Sequence, residues 1–64
     1  MTADEYQRVI DELQILIDDT QQTLKRFEAT GMDKQMAEDY EKLLDILDGA
    51  VKQQHDHTQQ MLSG

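Results

Sequence analysis

The feature that most constrains the fold is a stripe of side chains spaced alternately by four and three residues. Its members are Tyr6, Ile10, Leu13, Ile17, Thr20, Leu24 and Phe27. This spacing is a heptad repeat, with residues 10, 17 and 24 at position a and the others at position d. A helix with such a stripe buries it against other helices. The pattern therefore predicts an all-α protein.

Signals at both ends set the bounds of the first helix, which is predicted over about residues 3–30. Thr2 precedes Glu5 by three residues, which is the spacing of a capping box. Gly31 is predicted to take the left-handed conformation that ends many helices.

A second helix is predicted over about residues 34–62, after a turn at 31–33, with Asp33 as its N-cap. Two helices joined by so short a turn fold back on each other. The whole chain, residues 1–64, is therefore predicted to be one antiparallel helical hairpin. Facing positions then sum to about 64, which pairs Thr20 with Leu44 and Leu13 with Val51.

Several apolar residues lie beside the stripe and would stay wet in an isolated hairpin, namely Val9, Leu16, Leu43 and Ile46. Burying each is worth roughly 1.5–3 kcal/mol. A chain of 64 residues without cysteine has no disulfide to compensate for a small core. We therefore predict a homodimer that forms a four-helix bundle, with a trimer or hexamer as open alternatives. The predicted core and dimer residues are Val9, Ile10, Leu13, Leu16, Ile17, Leu24, Phe27, Tyr40, Leu43, Leu44, Leu47 and Val51.

Charge narrows the range of partners. Fourteen acidic and six scattered basic residues give a formal charge of −8, which is repelled by phosphate backbones and anionic lipid. Direct nucleic-acid binding is therefore disfavoured. No apolar stretch approaches the length of a membrane span, and no signal segment is recognisable. We expect a cytoplasmic protein without membrane contact.

The titratable residues do not form a recognisable catalytic or metal-binding motif. His55 and His57 are about 200° apart around a helix, so they share no face. Glu41, Asp45 and Asp48 are aligned on the second helix, as on a solvated acidic face. A hairpin without a pocket, a glycine-rich loop or a cysteine is not expected to be an enzyme. We predict no catalytic residue, no metal site and no cofactor.

Two individual residues suggest further possibilities. His55 is predicted to approach Ile10 at the open end of the hairpin, where its protonation below about pH 6 would loosen packing. Gly49, in the middle of a helix, is either a tolerated defect or a point at which a partner helix comes close.

The predicted function is that of a non-enzymatic regulator, adaptor or inhibitor that binds a protein partner as well as itself. An alternative is an inhibitor whose acidic surface imitates nucleic acid and blocks a DNA- or RNA-binding protein, as phage-encoded inhibitors do. The residues predicted to face a partner are Ile15, Asp18, Asp19, Asp45, Ile46 and Asp48.

The length and the paired helices also resemble the Rop-type plasmid copy-number regulators, which dimerise into a four-helix bundle. That resemblance implies RNA binding, which those proteins perform through a basic face. The corresponding surface here is rich in Asp and Glu. RNA binding is therefore the third interpretation, behind the two protein-binding functions.

Overall fold

A computed structural model describes residues 2–63, which form three helices and, within that range, no strand. Helix α1 spans Ala3–Thr30, the short α2 spans Met32–Gln35, and α3 spans Ala37–Ser63. The two long helices pack against each other with opposite directions, because Tyr6 meets Gln60 at one end and Phe27 meets Tyr40 at the other. The resulting rod measures 45 × 14 × 12 Å between Cα atoms. The prediction of an all-α chain with two packed helices is confirmed.

The signals at both ends of α1 act as the sequence predicts. The Thr2 hydroxyl accepts a hydrogen bond from the Glu5 backbone N–H at 3.2 Å, and the Glu5 carboxylate accepts one from the Thr2 N–H at 3.5 Å. Gly31 has φ +76° and donates its N–H to the Phe27 carbonyl. The capping box and the left-handed glycine satisfy backbone groups that a helix end otherwise leaves unpaired.

The turn differs from the expected residues 31–33. After Gly31 the chain forms one helical turn, α2, and then leaves helical geometry at Met36, with φ −123° and ψ 55°. The Met36 N–H bonds the Met32 carbonyl at 2.7 Å, and the Met36 carbonyl accepts from Tyr40 at 2.9 Å. Met36 thus separates two helical segments. The rotation of α3 about its own axis is therefore not a continuation of the rotation of α2.

The buried residues of the described chain are Ile17, Thr20, Leu24 and Ala50. Three of the four belong to the predicted stripe on α1. The Thr20 hydroxyl donates to the Leu16 carbonyl at 2.7 Å, which satisfies the one polar side chain in this core. The core is one layer of side chains between two helices.

On α3, the predicted pairings of Thr20 with Leu44 and of Leu13 with Val51 are each wrong by one residue. Leu43, Leu47 and Ala50 face α1, whereas Leu44 and Val51 remain 42% and 46% exposed. Leu43 and Leu44 are adjacent apolar residues, and so are Ala50 and Val51. Either member of each pair gives the alternating three- and four-residue spacing of a heptad repeat. The periodicity of the sequence therefore left the rotation of α3 undetermined.

The prediction that His55 packs at the open end of the hairpin is also wrong, because His55 is exposed. The residue that contacts Ile10 is the neighbouring Gln54, whose Nε2 donates to the Ile10 carbonyl at 3.3 Å. His57 is half-buried, and its ring lies edge-on to Tyr6 with 6.0 Å between the ring centroids.

Candidate interaction faces

The observed seam gives α3 a heptad register of its own. Tyr40, Leu47, Gln54 and Met61 take position a, and Leu43, Ala50 and His57 take position d; all of these are buried or half-buried. In two antiparallel helices, the g positions flank the seam on one side and the e positions on the other. The hairpin therefore has two lateral faces that differ in composition.

Hydrogen bonds between the long helices confirm this division. On the g side, the Tyr6 hydroxyl donates to the Gln60 side-chain oxygen at 2.9 Å. On the e side, Gln54 Nε2 donates to Gln14 Oε1 at 2.8 Å, and the Tyr40 hydroxyl donates to Glu28 at 3.1 Å. No hydrogen bond between α1 and α3 side chains within residues 2–63 contradicts this assignment.

We call the g side the apolar face. It is defined by Val9, Leu16 and Ile46 at position g and by Leu43, which is at the adjoining seam position d. Leu16 and Ile46 are exposed, and Val9 and Leu43 are half-buried. Sequence analysis expected an isolated hairpin to leave all four in water, which is wrong for Leu43 because it packs in the seam.

We call the e side the glutamine face and define it by Gln7, Gln14, Gln21, Leu44 and Val51, all of them exposed. A chain of hydrogen bonds crosses it. Besides accepting from Gln54, the Gln14 amide donates to the Asp18 carboxylate at 3.0 Å. Gln7 likewise donates to Asp11 at 2.9 Å. Asp11 and Asp18, the carboxylates on the α1 side of this face, are thus held by neutral amide donors.

Few of the acidic side chains are neutralised within the chain. The one ion pair among the described residues joins Lys52 Nζ to Asp48 Oδ2 at 2.9 Å, and both side chains are largely exposed. The hydrogen bond between Lys52 and Asp48, together with the negative charge of Asp48, raises the pKa of Lys52. The hydrogen bond from Tyr40 to Glu28, together with partial desolvation and the nearby negative charge, raises the pKa of the Tyr40 phenol.

The six residues predicted to face a partner are all exposed. Ile15 lies on the side of α1 opposite the seam, whereas Ile46 belongs to the apolar face. Of the twelve predicted core and dimer residues, Leu16, Leu44 and Val51 are exposed in the single chain, and the other nine are buried or half-buried. Sequence reasoning did not select Ala50, the buried residue of α3. The only signal for it was its place next to Val51 in the apolar pattern.

Among residues 2–63, no three His, Asp or Glu side chains come close enough to hold a metal ion. An open depression at the turn is lined by the consecutive residues 34–39, at the junction of α2 and α3. Across the same residues, neither long helix contains the apolar stretch that crossing a membrane requires.

Comparison of the chain with protein-family models, with curated proteins and with solved structures found no match.

Proposed function

We propose that this protein is a non-enzymatic helical hairpin that acts through protein–protein contacts, and that it first dimerises through the apolar face into a four-helix bundle. The observation that carries the proposal is the placement of Val9, Leu16, Leu43 and Ile46 on one side of a hairpin. An exposed row of aliphatic residues on a small protein favours association.

The size of the core supports dimerisation. Only Ile17, Thr20, Leu24 and Ala50 are buried among the described residues, while every ordered residue costs conformational entropy of about 1–2 kcal/mol in its backbone alone. A second hairpin would add another layer to this core. A lateral face of the rod extends 45 × 14 Å between Cα atoms, which is of the order of the roughly 800 Å² that each partner buries in a standard interface.

The charges beside the apolar face are of both signs. By the heptad register, the basic residues Arg26 and Lys42 lie at position c beside this face, and so do four acidic residues, Glu5, Glu12, Asp19 and Asp56. All six side chains are exposed. A second copy of the chain would therefore bring opposite as well as like charges together, despite its net charge of −8.

Molar mass measured by light scattering across the micromolar range tests this proposal. We expect the unchanged chain to be a dimer and a variant with Leu16→Gln and Ile46→Gln to be a monomer. Ile15→Gln is the matched control, because it removes an exposed isoleucine that lies away from both lateral faces. A monomeric unchanged chain would refute the dimer. If the dimer were lost in a variant with Leu44→Gln and Val51→Gln but kept in the variant with Leu16→Gln and Ile46→Gln, the interface would lie on the glutamine face.

The second candidate function is an acidic inhibitor that occupies the nucleic-acid site of its target. It is supported by the exposure of Asp18, Asp19, Asp45 and Asp48, of which only Asp48 has a basic partner among the described residues. Such an inhibitor should displace DNA from a basic, non-specific DNA-binding protein, and the displacement should weaken steeply as salt rises.

The matched control is a variant with all four of these aspartates changed to Asn, which preserves side-chain shape and removes the charge. Displacement that is independent of salt, or unaffected in the Asn variant, would exclude the inhibitor function. If the chain instead retarded RNA in a gel at physiological salt, direct RNA binding would replace both candidates.

A further inference from the structure

We infer that the glutamine face is a docking groove for a basic amphipathic helix of a partner protein. This inference deepens the proposed function, because it gives a chemical class to the partner of a hairpin that acts by protein–protein contact. It does not require the dimer, since the glutamine face and the apolar face lie on opposite sides of the hairpin. A dimer formed through the apolar face would leave two such grooves open.

The α3 side of the groove floor is apolar, whereas the α1 side carries the three glutamines. Leu44 and Val51 are the large aliphatic residues on this face, and both are exposed. They stand seven residues apart at position e of α3, which separates them by about two helical turns, or roughly 10 Å. Apolar side chains spaced at seven residues on an incoming helix would meet both. This is the spacing that recognition of a helix in a groove uses.

Both rims of the groove are acidic. Asp11 and Asp18 occupy position b of α1, next to the glutamine row, and Lys25 follows them at the end near the turn. Glu41 and Asp48 occupy position b of α3, next to Leu44 and Val51, and Asp48 is paired with Lys52. The four carboxylates are exposed. Each rim therefore presents two carboxylates spaced at seven residues, along the same length of rod that holds the apolar floor.

The carboxylates of the α1 rim are positioned without being neutralised. Asp11 accepts a hydrogen bond from the Gln7 amide, and Asp18 accepts one from the Gln14 amide. An amide donor orders a carboxylate but leaves its charge to attract a cation. The partner that fits two such rims is a helix whose apolar stripe is flanked by Lys or Arg.

A second copy of this chain does not fit the groove through its own glutamine face. That face is bordered by the same carboxylates, so two glutamine faces in contact would place the rim carboxylates against each other. Phosphate-bearing partners are disfavoured for the same reason. Charge complementarity thus separates the occupant of the glutamine face from that of the apolar face.

The test uses the full chain and two fluorescent peptides of about 15 residues, a length at which an isolated helix is marginal in water, so that binding can stabilise it. In the first peptide, Leu recurs at positions a and d between Lys residues. The second peptide has the same composition in an order that gives no apolar face. We expect the first peptide to bind at least about tenfold more tightly, as measured by fluorescence anisotropy at about 50 and about 300 mM salt.

Two double variants assign the binding to a face. Leu44→Gln with Val51→Gln should reduce binding of the first peptide to the level of the second. Leu16→Gln with Ile46→Gln, which removes the apolar face, should bind the first peptide as the unchanged chain does. Gln is a good helix former and all four positions are exposed, so circular dichroism should show both variants folded.

Equal binding of the two peptides would overturn the proposal, because it would reduce the interaction to attraction between opposite charges. Loss of binding in the apolar-face variant, with binding kept in the Leu44 and Val51 variant, would also overturn it. A variant with Asp11→Asn, Asp18→Asn, Glu41→Gln and Asp48→Asn removes the negative charge of both rims. Its affinity for the first peptide should depend less on salt than that of the unchanged chain. Failure of the proposed dimer can be told apart from failure of the proposed groove, because light scattering measures dimerisation and fluorescence anisotropy measures peptide binding.

Discussion

Ile15 and Ile17 offer the sharpest test of how this hairpin is held together. They stand two residues apart on α1, yet Ile17 is 6% exposed in the seam and Ile15 is 62% exposed on the opposite side. Changing each to Ala in a separate variant removes the same atoms from the same helix. The two changes also alter helix propensity equally. Any difference in stability between the variants therefore reports burial alone.

The expected magnitudes follow from these exposures. A buried Ile→Ala change costs about 2–5 kcal/mol, and Ile17 should lie near the lower end, because a single-layer core lets neighbouring side chains collapse. Ile15 has little burial to lose, roughly 0.6–1.1 kcal/mol, and Ala recovers a few tenths through its helix propensity. For a chain of this size, about 1 kcal/mol shifts Tm by about 4–8 °C. We therefore expect Tm to be at least about 5 °C lower for Ile17→Ala than for Ile15→Ala.

Thermal unfolding followed by far-ultraviolet circular dichroism measures the two values. Both variants and the unchanged chain must be compared at one protein concentration, because association makes Tm depend on concentration. Ile17→Val, which should cost about 0.5–1.5 kcal/mol, supplies a measurable point if Ile17→Ala does not fold. Equal losses for Ile15→Ala and Ile17→Ala would refute the reasoning, since they would show that Ile15 is buried in the protein in solution.

Three further predictions concern single positions. Gly31→Ala should destabilise the hairpin by about 1 kcal/mol, because φ +76° suits only glycine there; unchanged stability in urea unfolding would count against this. Gly49→Ala should stabilise it by up to about 1 kcal/mol, since a Cβ at Gly49 meets nothing within 4 Å; a loss in the same assay would indicate a closely packed partner. The raised pKa of Tyr40 means that its hydrogen bond to Glu28 stabilises the fold fully below the unfolded pKa of about 10. That contribution is lost as pH rises through the folded value. In a Tyr6→Phe background, Glu28→Gln should lower the pKa read from phenolate absorbance, and an unchanged pKa would contradict the assigned cause.

The sequence was sufficient for the features that depend on neighbouring residues. The capping box of Thr2 and Glu5 and the left-handed Gly31 were predicted from residue type and spacing. These features need only local hydrogen bonds and local backbone freedom. The stripe on α1 was equally clear, and its members Ile17, Thr20 and Leu24 are buried as predicted.

The interaction faces could be predicted only in part. The four residues of the apolar face were expected to be left over by a hairpin, because they widen the apolar stripe beyond a two-helix seam. Sequence reasoning placed Leu44 and Val51 in the seam, so it did not find the glutamine face. The alternation of glutamines and carboxylates there also occurs on ordinary solvated helices.

The sequence by itself determined that the chain forms two long helices, where α1 begins and ends, and which side of α1 is buried. Only the tertiary structure decided which side of α3 faces α1. The physical reason lies at Met36, where the backbone leaves helical geometry and resets the rotation of α3. Since Leu43 and Leu44, like Ala50 and Val51, are adjacent apolar pairs, periodicity allowed either setting. Packing against α1 selected Leu43 and Ala50, and that selection left Leu44 and Val51 on the surface.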